Sequence, residues 1–168
     1  MANRVSLQFY QHSYFFSFLS YILPFSKKKY PNFKYILSTT RCERDIFKIN
    51  EATKNYDLVV IDYRDNRNLN FLNAIEDKSK IEILINSYCD PGCLVRKIHY
   101  DIISFHQLKN EPMNILDEQL FCFCPTGSRT FKESLLLDSV LTKEEIYSTY
   151  SQMGFQNFKI EGREFSVF

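Results

Sequence analysis

With 168 residues and a formal net charge of +1, from 21 basic and 20 acidic side chains, the chain is the size of one domain. It carries no charge excess that would build a dedicated nucleic-acid surface. Four glycines and five prolines argue against low complexity or extensive disorder. Five cysteines, an odd number with no convincing secretory leader, argue against a disulfide framework and for reduced thiols in the cytoplasm.

Val5 to Tyr10 has a weak strand pattern. Tyr14 to Phe25 is the one segment that resembles a signal core or a membrane span. It falls short of the ~20 apolar residues a span requires, contains Pro24 and runs into Lys27-Lys28-Lys29. The reading is therefore a buried or partner-facing helix, with no membrane contact. Residues 1–29 form an atypical apolar segment in front of a domain at 30–168.

From Tyr30-Pro31-Asn32 onward strands and helices alternate. Phe33 to Ser38 is predicted as a strand, and Glu43 to Lys54 as its helix. Leu58 to Ile61 is the second strand, ending at Asp62, with a helix over Asn66 to Ile75. Ile81 to Ile85 is the third. It ends in Asn86 and a turn through Asp90-Pro91-Gly92 flanked by Cys89 and Cys93, and a helix follows to about Leu108. Gln119 to Phe123 is a short fourth strand before Cys124-Pro125. Thr142 to Met153 is a helix with Thr142 as N-cap and Glu145 at the capping-box position. Phe155 to Ile160 is the fifth strand, ending in Glu161-Gly162-Arg163.

This alternation implies parallel βαβ units, and Leu58-Val59-Val60-Ile61 is apolar on both faces, as a covered parallel sheet requires. An open doubly wound sheet and part of a (β/α)8 barrel both fit. No Gly-rich phosphate fingerprint follows any strand.

In such folds the working site lies at the carboxyl ends of the strands. Cys42, Cys89, Cys93 and Cys124 fall just past three different strands, whereas Cys122 lies within one. Four converging thiolates suit an iron–sulfur cluster or a structural zinc; ordinary buried cysteines are the bland alternative. The C-x3-C spacing and the scatter over three loops favour a cluster over zinc. Arg96 and His99 share one helix face towards the cysteine loop and are candidate anion or substrate contacts, or else a surface ion pair. Asp62 suits orienting Arg163 or a substrate hydroxyl, and equally a helix N-cap. Lys159 and Glu161 point away from Ile160, towards a barrel interior or solvent. No Ser-His-Asp elbow is present, and a Cys89 or Cys93 pair with His99 lacks an oxyanion hole.

The motifs Tyr30-Pro31-Asn32-Phe33-Lys34, Ser38-Thr39-Thr40-Arg41-Cys42, Asp57 to Asp62, Asn86 to Cys93 with Arg96 and His99-Tyr100, Cys124-Pro125 and Gly154 to Arg163 together resemble bacterial TIM-barrel proteins related to the collagenase-like peptidase family. The likeness runs from about Lys29 to Arg163. It implies a partial (β/α)8 barrel of about five strands, lacking its opening units and completed by a missing N-terminal part or a second chain. It also implies a 4Fe–4S cluster on Cys42, Cys89, Cys93 and Cys124, and oxygen-independent hydroxylation of a small-molecule or RNA-derived substrate. Arg96, His99, Asp62, Glu161 and Arg163 are the expected substrate contacts. A zinc-bound or metal-free binding protein and a peptidase-like hydrolase are the alternatives.

Overall fold

Short apolar runs separated by capped turns build the sheet, and in a computed structural model residues 23–87, 89–110, 112 and 130–161 are described. The strands are β1 (Ile36–Leu37), β2 (Leu58–Val60), β3 (Ile81–Leu84) and β4 (Asn157–Lys159). All neighbours are parallel, and the sheet order β1-β2-β3-β4 follows the chain. β3 and β4 are hydrogen-bonded neighbours, so nothing stands between them in the sheet. The strand expected over Gln119 to Phe123 lies outside the described residues, as does the first part of the apolar segment from Tyr14. That segment's end is helical at 23–29 and is tied down where Lys27 Nζ donates to Asn55 O at 2.6 Å.

Between the strands stand α1 (Ile46–Asn55), α2 (Leu69–Asn73) and α3 (Arg96–Lys109), followed by a short α4 (Phe131–Ser134) and α5 (Lys143–Glu145). Asp45 caps α1 by accepting from Phe47 N at 2.9 Å. α5 opens on the expected capping box. Glu145 N donates to Thr142 Oγ1 at 3.1 Å and Thr142 N to Glu145 Oε2 at 2.8 Å. The helix widens to a π turn over Ile146–Tyr150 and ends at Gly154, whose φ of +100° suits glycine and strains other residues.

Several elements are shorter than their sequence pattern, among them β4, which keeps three residues of the run Phe155 to Ile160. β1 keeps only two residues of the run Phe33 to Ser38. The helix expected from Asn66 shrinks to α2, because Asn66 is drawn into the interior. Its Nδ2 donates to Leu84 O at 2.8 Å and to Ser139 O at 3.0 Å. Asn68 then caps α2 by accepting from Phe71 N at 3.2 Å.

The register divides the sheet into two faces. Leu37, Val59 and Ile81 align on one, as do Ile83 and Phe158. This face packs with Ile49 of α1, Phe71 and Leu72 of α2, and Leu141, Tyr150 and Phe155 near α5, forming one continuous core. Each fully buried Ile, Leu or Val contributes ~1.5–3 kcal/mol. The other face carries Val60, Glu82 and Asn157 in one row, and Leu84 with Lys159 in the next. It is therefore a mixed polar face. Among the described residues no helix is long and apolar enough to cross a membrane.

Candidate functional site

Just past β2 the chain closes a 3-10 turn over Tyr63–Asp65, capped by Asp62 Oδ1, which accepts from Arg64 N at 3.0 Å. Asp62 is only 1% exposed, and a carboxylate removed from water requires charged partners. Arg64 supplies a two-pronged contact, Nε to Oδ1 at 2.9 Å and Nη2 to Oδ2 at 2.8 Å. Arg96 Nη1 adds a third bond to Oδ2 at 2.9 Å. Burial pushes this carboxyl up; the bonds from Arg64 and the charge of Arg96 outweigh it and hold the group below its ordinary value.

Arg96 is the first residue of α3 and is also 1% exposed. The same Nη1 lies 2.8 Å from Cys42 Sγ. Its guanidinium carbon is 4.5 Å from the centre of the Tyr63 ring and 5.0 Å from that of Tyr100, distances at which a desolvated cation–π contact contributes ~2 kcal/mol. Cys42 ends the 3-10 turn Thr39–Arg41 that follows β1, in the left-handed conformation at φ 56°. That conformation costs a non-glycine residue roughly 1–2 kcal/mol. It is held by Cys42 N donating to Thr39 O at 3.0 Å and by the contact with Arg96. Burial raises the Cys42 thiol above its ordinary value, although Arg96 opposes the shift. The sulfur donates to Thr40 O at 3.5 Å and accepts from Arg96.

The loop after β3 closes over the same place. Asp90 Oδ1 accepts from Gly92 N at 2.7 Å and Asp90 O from Cys93 N at 3.0 Å, forming the expected turn. Tyr63 Oη donates to Asp90 O at 3.1 Å and ties this loop to the end of β2. Cys89 Sγ is 4.0 Å from Tyr100 Oη. Burial raises both tyrosine hydroxyls. The loops after β1, β2 and β3 therefore meet around Arg96.

Of the residues picked out by sequence, Cys42, Asp62 and Arg96 are in direct contact, and Cys89 joins them through Tyr100. Cys93 shares the Cys89 loop and is half-buried. His99 lies beside Tyr100, their rings 5.9 Å apart, and burial lowers its imidazole. Glu161 belongs to a different tie: its N donates to Asn86 Oδ1 at 2.7 Å and its O accepts from Asn86 Nδ2 at 3.1 Å, fastening the ends of β3 and β4. Arg163 and Cys124 lie outside the described residues. The partners of Asp62 are Arg64 and Arg96, and the N-cap role weighed for Asp62 is also present. Arg96 is no surface ion pair. Among the described residues no three His, Cys, Asp or Glu side chains gather closely enough to hold a metal ion.

Sequence reasoning overlooked Arg44, Tyr63 and Arg64. Arg44 grips Asp65 with Nε and Nη2, both at 2.7 Å. The signal was available: Asp62-Tyr63-Arg64-Asp65-Asn66-Arg67 is a dense polar run directly after a strand with no solvent face. Charges at such a position have to find each other. No protein-family model matches this chain, and no curated protein or solved structure matches it significantly.

Proposed function

We propose that the chain is a partial (β/α)8-type barrel and serves as an iron–sulfur protein of the oxygen-independent hydroxylase kind. Its cluster ligands are Cys42, Cys89, Cys93 and Cys124. The observation that carries this reading is the meeting of two cysteine-bearing loops, from different strands, at the buried Arg96. The barrel has its own support. Strand order follows the chain, without the reversal of a doubly wound sheet. The core-forming helices pack on one face, while the other is mixed and polar, as a barrel interior with a site at its mouth would be.

The donors suit such a group in kind. Thiolates are its ordinary ligands, and an N–H directed at a ligating sulfur, together with a buried positive charge, favours an anionic cluster. When bound, the cluster supplies electron transfer. Arg96 would then steady the Cys42 sulfur while Asp62 fixes Arg96, and His99, Glu161 and Arg163 are the proposed substrate contacts. As folded, the Cys42 sulfur accepts from Arg96, a contact that a ligating sulfur would keep, and Cys89 lies against the Tyr100 hydroxyl. One specific observation favours a second reading, a metal-free binding protein. The Cys42 thiol, raised by burial, is already satisfied by Arg96 and Thr40.

Expression and purification without oxygen, followed by iron and sulfide assays, separate the two. The cluster reading expects a brown protein absorbing near ~400 nm with about four irons per chain, reduced by Cys42→Ala, Cys89→Ala, Cys93→Ala or Cys124→Ala. A colourless protein that takes up no iron on anaerobic reconstitution overturns it. Equimolar zinc without colour overturns it in favour of a zinc-stabilised binding protein.

A further inference from the structure

Three arginines stand at the carboxyl edge of the sheet with their side chains engaged by carboxylates, and two of them use the same edge of the guanidinium. Arg44 directs Nε and Nη2 at Asp65, and Arg64 directs Nε and Nη2 at Asp62, at distances of 2.7 to 2.9 Å. Arg96 differs. It meets Asp62 and Cys42 through Nη1, and its Nε and Nη2 have no hydrogen-bond partner among the described residues. These are the two donors that a planar oxyanion grips side by side. They belong to a residue 1% exposed to solvent, where an unmade bond to a charged donor is costly.

Charge points the same way. Asp62 carries one negative charge against the two positive charges of Arg64 and Arg96, leaving one positive charge in excess. Arg96 is also the first residue of α3, where the helix N-terminus adds partial positive charge. Thr39 Oγ1, on the 3-10 turn against which α3 packs, is a further buried polar atom without a hydrogen-bond partner among the described residues.

We propose that the Nε/Nη2 edge of Arg96 is a binding site for a two-oxygen anionic group, a carboxylate or a phosphate, carried by a small-molecule ligand. Asp62 positions the arginine through Nη1 and leaves that edge without a hydrogen-bond partner among the described residues, and the anion completes the charge balance of Asp62, Arg64 and Arg96. The inference uses the carboxyl-edge location of the reading above and is independent of the iron–sulfur cluster.

The test observes the Arg96 Nε–H directly. Protein purified free of metal and labelled with 15N is titrated separately with formate, succinate and inorganic phosphate, and the arginine Nε–H cross-peaks are followed. The expected result is a saturable downfield shift of one cross-peak that is absent from Arg96→Lys and retained in Arg67→Lys. Should Arg96→Lys fail to fold, the cross-peak is assigned by elimination, with a lysine substitution at each of the other arginines in turn. A response to formate and succinate alone identifies a carboxylate ligand, and a response to phosphate alone a phosphate ligand. No saturable shift with any of the three, in folded protein, overturns the proposal. Loss of iron binding with a retained shift would remove the cluster reading and leave this one standing.

Discussion

Replacing Asp62 by Asn tests the Arg96 cluster most directly. The substitution keeps the shape of the side chain, and Asn caps a helical turn as well as Asp, so the cap over Tyr63–Asp65 contributes nothing to the difference. What disappears is the negative charge. Arg64, whose side chain is 23% exposed, can turn to water, whereas Arg96 at 1% cannot. The cost is therefore that of a buried cation stripped of its counter-charge, ~3–5 kcal/mol. For a chain of this size that lowers Tm by roughly 6–20 °C. Urea unfolding followed by circular dichroism measures it, with an unchanged m-value showing that the folded state is the same. Arg96→Met on the Asp62→Asn background should recover part of the loss, because the pair is removed together rather than broken. Asp101→Asn, which breaks the exposed Lys97–Asp101 pair at 2.9 Å, is the control and should cost ~0.5 kcal/mol or less. If Asp62→Asn costs no more than this control, the account of the site as a mutually dependent charge cluster is wrong.

Acid should destabilise the fold through Asp62 and Glu145. Arg67 and the Thr142 N–H hold the Glu145 carboxyl down at about 2, and Asp62 is also depressed. The unfolded chain takes up these protons near pH ~4. The stabilisation is therefore complete above about pH 5 and is lost as pH falls towards the lower folded values. A series of urea midpoints from low to neutral pH should show this slope, smaller in Glu145→Gln; a flat profile contradicts it. Asn66→Ala should cost roughly 2–5 kcal/mol, because Leu84 O and Ser139 O both lose their buried donor, and Asn66→Asp should be no better, having no N–H to offer. Thermal unfolding of the two variants tests this, and a loss below ~1 kcal/mol in either would remove Asn66 from its central place. Thr142→Ala should cost ~1 kcal/mol by opening the capping box, read from the same unfolding curves; no change would mean that α5 is held by packing alone.

Much of the frame followed from local chemistry. Leu58-Val59-Val60-Ile61 has no polar position, so the sequence by itself marked it as a strand covered on both sides, and it is buried throughout. Thr142 with Glu145, and Asp90-Pro91-Gly92, carry their geometry in three or four adjacent residues, and both formed as expected. The parallel α/β class was legible for the same reason: periodicity is a short-range property.

The partners of the site were decided only when the chain folded. Nothing in the spacing of Asp62 and Arg96 says that they share one hydrogen bond, or that Cys42 stands at the same nitrogen. The choice belongs to the sheet. Parallel strands in register bring three loops to one edge, where charges that have lost water accept whichever opposite charge the fold delivers. The same tertiary demand overrode the helix pattern at Asn66, whose amide is the donor that two buried carbonyls required.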